Sequence, residues 1–388
     1  MSTLFLFANF LSPTNATHFA CVDNECVPSA SGLYIADPQC YGECDPPHKP
    51  CKSEWDCALA GICDRHSGRC LCDAWAAGWD CSRLNLLPVD KSKLGYRHES
   101  LSSWGGNMVQ NRSTGLWHLY MAEINCNGGH SPCELHGWSY ASQVGHATSL
   151  DPLGPFTRKG VALPIQHHNP TVSHAPNGTL LLYSISAGAT HTSVATASSY
   201  NGPWTVLDDA MAPYTNPSPL VHANGTLSLF FQGGPQAVVP CSSESIGMAR
   251  CTSMRGPCEQ RANPIYNHTG EDPSVFVDAR GNFHLLSNGY PGPCKPKAWQ
   301  GGHAWSRDGV TWSEPRVGAF STTVSFMDGT SMTCARRERP QMVMDPQNGR
   351  PAYLVTGVTG CPSNLTATST TGTFTLIQGL DGKNQEFS

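Results

Sequence analysis

Two adjacent acids, Glu271 and Asp272, stand immediately before Pro273 in GEDPSVFVDARGNFHLL. A third, Glu338, lies between Arg337 and Arg339 in ARRERPQMV, and a fourth, Glu123, ends the apolar run LYMAEI. Carboxyl groups held close together can divide acid and base work. One kept protonated by burial or like charge donates a proton while an ionised partner serves as base or nucleophile. The same residues also admit a purely architectural reading. An acid before proline is a common polar start to a turn, and the proline biases it toward extended backbone. Arginines beside a glutamate can simply tie two segments together. The choice depends on whether the fold brings these carboxyls to one place.

The elements that must position them follow from composition and repeats. The chain has 388 residues, room for two or three structural units. A formal charge of −5, with 14% charged residues and no basic run, gives no electrostatic footprint for nucleic acid or for an anionic membrane surface. Of the 18 cysteines, ten fall between Cys21 and Cys81, which points to an oxidising compartment and a secreted, extracellular protein. Asn-x-Ser/Thr sequons at Asn15, Asn111, Asn177, Asn224, Asn267 and Asn364 agree with that address. Residues 1–20 carry a short apolar run without a basic start, read equally as a signal segment or an N-terminal strand. No run approaches the roughly 18 apolar residues of a membrane span.

Cys51, Cys57, Cys63, Cys70, Cys72 and Cys81 lie in CKSEWDCALAGICDRHSGRCLCDAWAAGWDC. A segment this short cannot bury a sufficient core, so three disulfides are expected to hold it. The single residue between Cys70 and Cys72, then DAWAAGWD before Cys81, resembles an EGF-like domain over residues 51–83. The resemblance implies the pairs Cys51 with Cys63, Cys57 with Cys70 and Cys72 with Cys81. The acidic calcium motif of some such domains is missing from DPPHKP, so no calcium is expected there. Zinc is disfavoured because paired C-x2-C clips are lacking. Upstream, Cys21, Cys26, Cys40 and Cys44 form a smaller cysteine-rich module over residues 21–46, with three connectivities open.

From residue 96 onward the chain repeats itself. NPTVSHAPNGTLLLYSI, NPSPLVHANGTLSLFF, DPSVFVDARGNFHLL and RPQMVMDPQNGRPAYLV each run from a polar residue and a proline into a strand, a glycine turn and a second strand. GGNMVQNRSTGLWHLYMAEI is a fifth copy without the proline, and phrases such as VATASSYNGPW and HAWSRDGVTW supply two further strands per unit. No stretch sustains a 3.6-residue apolar period. Five four-stranded units predict an all-β fold, a five-bladed β-propeller over residues 96–388 preceded by small disulfide-rich modules. In a blade the first strand lines the channel, the second returns and the third descends again. Starts of first and third strands, and ends of second strands, should therefore share one mouth. That rule collects His168, Asn169, Thr215, Asn216, Glu271, Asp272, Glu338 and Arg339, together with Glu123, His146, Met248 and His303.

The Asp272–Pro273 start, the ATASSYNGPW phrase and the count of five blades resemble glycoside hydrolase family 43 and its arabinanase, levansucrase and invertase relatives. SRDGVTW, Ser306 to Trp312, is similar to the Asp-box turn of sialidases, a structural hairpin lock. The resemblance implies a glycosidase. Only the Asp-Pro pattern at Asp272 matches position by position, because the first three units read SWGGN, HHNP and TNPSP where the family carries acids. Glycosidic cleavage needs two flanking carboxyls. Glu338 with Asp272 is the expected pair, Glu271 or Glu123 the alternates. His303, His168, Asn169 and Asn216 would hold sugar hydroxyls, and Trp104 would stack on a ring. Arg337 and Arg339, if unpaired, would suit an anionic carbohydrate. The alternative is a carbohydrate-binding or adhesion propeller without hydrolysis, displayed by the EGF-like module. A metal-dependent hydrolase built on His146 and His303 lacks any short metal spacing such as H-x3-H. No cofactor or metal is called for. The cysteines beyond the module suggest local bridges, Cys126 with Cys133 and Cys251 with Cys258.

Overall fold

The computed structural model describes residues 18–22, 25–29, 50–126, 134–186, 188, 190–233, 245–262, 265, 270–289, 300–362 and 372–382. The segment 1–17, the sequons Asn15, Asn267 and Asn364, and Cys40, Cys44, Cys133, Cys241 and Cys294 lie outside them. Of the 21–46 module only a backbone hairpin is described, His18–Val22 against Glu25–Ser29.

The five repeats fold into five antiparallel sheets of a β-propeller. The inner strands are Ser102–Gln110, His168–His174, Thr215–Val221, Ser274–Val277 and Arg336–Met344, for blades one to five in chain order. Each pairs with a nearly all-buried second strand: Trp117–Ile124, Leu180–Ser186, Leu227–Gln232, Phe283–Asn288 and Pro351–Thr359. Blades one to four carry two more strands outward, and blade five has a third, Phe374–Gly379. Its outer edge is covered by the chain entering the propeller, through bridges Leu86 to Leu380 and Tyr96 to Thr375. The ring therefore closes without leaving that edge free.

A left-handed residue recurs at each blade start: Gly105, Asn169, Asn216, Asp272 and Arg339, with φ between 48° and 56°. The proline that follows four of them favours extended backbone, so the sequence-based expectation is corrected here. In blades one, two, three and five the ladder register slips at this point. A bulge of this kind puts two consecutive residues on the same side of the strand, where regular alternation would separate them. Glycine, asparagine and aspartate tolerate such backbone, but arginine carries a penalty of about 1–2 kcal/mol.

Two residues past each left-handed residue stands a latch to another blade. Thr171 donates to the Pro217 carbonyl at 3.1 Å, the Ser218 hydroxyl accepts from Val275 N at 2.9 Å, and Ser274 accepts from Met342 N at 3.2 Å. Asn107 and Gln341 complete the set with an amide pair at 3.1 Å. The apolar cores lie between blades, one of them joining Tyr183 and Leu181 to Phe231 and Leu229.

The cysteine module is bonded Cys51–Cys63, Cys57–Cys70 and Cys72–Cys81. It shares one core with blades four and five, including Leu59, Trp75, Phe276, Trp305 and Leu354. Trp75 meets Phe276 edge-on at 5.7 Å. Arg280 on the blade-four hairpin turn donates to the Leu59 carbonyl at 2.7 Å and bonds Asp73. The module is thus built into the propeller rather than held away from it. Further disulfides join Cys251 to Cys258 and Cys334 to Cys361, and Cys126 is also disulfide-bonded. In Ser306–Trp312, Asp308 accepts from the amides of Thr311 and Val310. Those bonds pull its carboxyl down to about 2.

Candidate active site

One end of the channel opens into a cavity of about 320 Å³. It is lined at the blade starts by Trp104, His168 with Asn169, Thr215 with Asn216, Glu271 with Asp272, and Glu338. The left-handed residue at each blade start explains the pairs. Because the left-handed residue follows without alternation, both members face the cavity, and two adjacent acids reach one site.

These carboxylates are held from several sides. Arg336 donates to both oxygens of Glu338, at 3.3 Å from Nε and 2.8 Å from a terminal nitrogen. The Asn288 amide, at the end of the blade-four second strand, donates to Glu271 and to Asp272, each at 3.1 Å. The shared nitrogen holds those two carboxylate oxygens close to each other. Beneath Asp272 lies the fully buried Arg339, 3.7 Å away, which also donates to the Asn169 carbonyl at 3.0 Å. The ring continues from Asn169 to Asn216 at 2.7 Å and from Asn216 to Gln232. His168 contacts the Ser142 hydroxyl at 2.7 Å. Burial, helped by the Arg339 charge, pushes its imidazole down to about 3, so it lines the site as a neutral ring.

The wall includes two residues that no repeat marks, Leu135 and Trp138. Trp138, in the short helix Trp138–Ala141, is 43% exposed and lies 5.3 Å from the His168 ring. Trp104, expected to stack on sugar, is almost wholly buried, its ring lying where a Cβ on Gly357 would be. Trp138 is the more accessible aromatic. Arg336, Gln232 and Asn288 were likewise missing from the sequence-based set. Gln232 and Asn288 close second strands at the height of the blade starts, a period the repeat could have exposed.

Four expected site residues do not line the cavity. Glu123 pairs in register with Ser103, one residue away from the Trp104–Ala122 pair, so alternation turns it from the mouth. There it is fully buried, gripped on both oxygens by Arg158 at 2.9 Å and bonded by Tyr96 and Gln143. It is an internal brace. His303 lies on the third strand, too far out radially to reach the channel. Its nitrogens meet the Ser82 carbonyl at 2.9 Å and His284 at 3.0 Å beneath the cysteine module. Arg337 alternates to the face opposite Arg336 and Glu338 and lines a different cavity. Arg339, expected to bind substrate, is sealed under Asp272 and is not among the lining residues. Of the others placed at this mouth, His146 is buried against His118 at 3.0 Å and Met248 lines a groove between blades three and four.

No protein family and no curated protein matches the sequence. The fold is similar to that of a family 117 glycoside hydrolase from the marine bacterium Zobellia galactanivorans, at 16% identity and a TM-score of 0.52, over 79% of this chain and 92% of that one. It is also similar to a family 43 arabinoxylan arabinofuranohydrolase from Bacillus subtilis, solved with cellotetraose, at 15% identity and a TM-score of 0.50, over 75% of this chain and 64% of that one. The chain is a five-bladed propeller of the architecture these glycosidases use. The disulfides agree with an extracellular protein, and no helix among the described residues is long and apolar enough to cross a membrane.

Proposed function

We propose that this protein is a secreted glycoside hydrolase acting on an oligo- or polysaccharide at the blade-start mouth. The observation that carries the reading is the convergence of Glu271, Asp272 and Glu338 from two blades on one open cavity beside Trp138. Glu338, gripped on both oxygens by a guanidinium, suits the ionised base or nucleophile. Asp272 and Glu271, which share the Asn288 amide, supply the second carboxyl function. Neutral His168, Asn169, Asn216 and Gln232 offer hydrogen bonds to hydroxyls, and Trp138 offers a sugar platform. The pairing Cys51–Cys63, Cys57–Cys70 and Cys72–Cys81 supports an EGF-like origin for the cysteine module.

A second reading, carbohydrate binding without hydrolysis, is favoured by Gly105, Asn169 and Asn216 at the first three blade starts, where no carboxylate stands. Incubation of the protein with a panel of plant and algal glycans separates the two. Product formation abolished by Glu338→Gln and by Asp272→Asn, with glycan binding retained, is the expected result. Saturable binding with no product from wild type would replace hydrolysis by recognition. Hydrolysis unchanged in both variants would overturn the site assignment.

A further inference from the structure

A second polar cavity, of about 260 Å³, lies on the other face of the strand that carries Glu338. Its walls come from four places: the segment leaving the cysteine module at Arg83 and Asn85, Gln300 just before the third strand of blade four, the segment that follows blade four from Gly318 to Ser325, and blade five at Arg337 and Gln378. Arg337 is 1% exposed and fully enclosed. Its guanidinium donates to the Thr356 hydroxyl at 3.1 Å, the Ser321 carbonyl at 3.1 Å and the Gln378 amide oxygen at 3.0 Å. All three acceptors are neutral, and among the described residues no carboxylate pairs with it. A guanidinium carries five N–H donors, so two remain on its terminal nitrogens. Burial pushes Arg337 down to about 9. A buried cation without a countercharge costs several kcal/mol unless something else neutralises it. On the same wall, Gln300 is 1% exposed and its amide nitrogen has no hydrogen-bond acceptor among the described residues. Among the described residues no acid lines the cavity, whose wall also includes Ser321, Thr323 and Ser325.

We infer that this cavity is a binding site for a tetrahedral oxyanion, sulfate or phosphate, held by Arg337 and Gln300. Such an anion accepts two parallel bonds from a guanidinium, takes a third from an amide, and supplies the charge the protein lacks there. Half-buried Arg83 and Asn85 on the rim leave the cavity open to solvent. The site is separate from the carboxylate mouth and independent of any hydrolysis there, because strand alternation places Arg336 and Glu338 on one face and Arg337 on the other.

Equilibrium dialysis of the full chain against radiolabelled sulfate, at constant ionic strength set with sodium chloride, tests this directly. The expected result is one saturable sulfate per chain, displaced by phosphate, and weakened about tenfold or more in Gln300→Leu and in Arg337→Gln. Circular dichroism checks folding, and if Arg337→Gln does not fold, Gln300→Leu alone decides. Competition by galactose 6-sulfate but not galactose would assign the anion to a sulfated sugar. Displacement by inorganic anions alone would assign it to the free ion. No saturable uptake by wild type, or uptake unchanged in Gln300→Leu, would overturn the inference.

Discussion

The stem of Arg339 occupies the space that a side chain on Gly105 would need: a Cβ at Gly105 would sit 2.4 Å from Arg339 Cγ. Both residues are left-handed, at equivalent starts of blades one and five. Arg339 carries the backbone penalty of that conformation and in return places a guanidinium under Asp272. Gly105→Ala therefore meets two costs, a strained φ and an overpacked contact. Together they amount to about 2–4 kcal/mol. Chemical denaturation should show that loss, and Gly178→Ala, in an open turn with nothing near its Cβ, should lose less.

Asn288 is the positioning residue of the acidic pair, since its single amide nitrogen bonds Glu271 and Asp272 at once. In Asn288→Leu the two carboxylates lose their shared donor and their fixed spacing. Turnover of a responsive glycan should fall about 10- to 100-fold, with a displaced pH–rate profile. A purely structural asparagine would lower the melting temperature and leave the pH profile in place.

The propeller was legible in the sequence because the blade start, the glycine turn and the Gly-Pro phrase recur as residue types at regular intervals. The address of Glu271, Asp272, Glu338, His168, Asn169 and Asn216 followed from that repeat. What escaped was direction. Glu123 differs from a mouth position by one residue in a strand, and alternation alone sends it inward to Arg158. Both acids of the 271–272 pair line the mouth where the left-handed Asp272 interrupts extended alternation, and a residue before proline gives the opposite hint. Trp138 sits in a connection outside the phrases that repeat in the sequence. His303 was misplaced because a repeat read from one chain segment cannot show that the cysteine module covers it.

That covering has an energetic consequence. Trp75 of the module packs against Phe276, His284 and His303 of blade four. Trp75→Ala should cost about 3–5 kcal/mol, the usual loss for a large aromatic core residue. Because the core is shared, the loss should appear in a single unfolding transition of the whole chain. A separate low-temperature transition with the propeller unaffected would show instead that the module folds as an independent appendage.

The histidine pairs are expected to set the acid limit of the fold. His118 with His146 in blade one and His284 with His303 in blade four are each in contact at 3.0 Å. Burial pushes His118 and His146 to about 4 and His303 to about 3. In the unfolded chain each titrates near its ordinary value of about 6.5. The folded-state values are depressed, so the unfolded state binds protons first as the solution is acidified. Stability contributed by these rings is complete above about pH 6.5 and is lost as pH falls toward 4 and then 3. Calorimetric melting temperatures should be level with respect to these groups above neutrality and should decline through that window. Within a pair the first proton falls on a ring whose neighbour sits at hydrogen-bond distance, and a second proton would place two like charges there. His118→Gln, which keeps a polar partner for His146 but cannot take a charge, should make the decline shallower. A variant as acid-sensitive as wild type would place the acid limit elsewhere, in the carboxylate pairs.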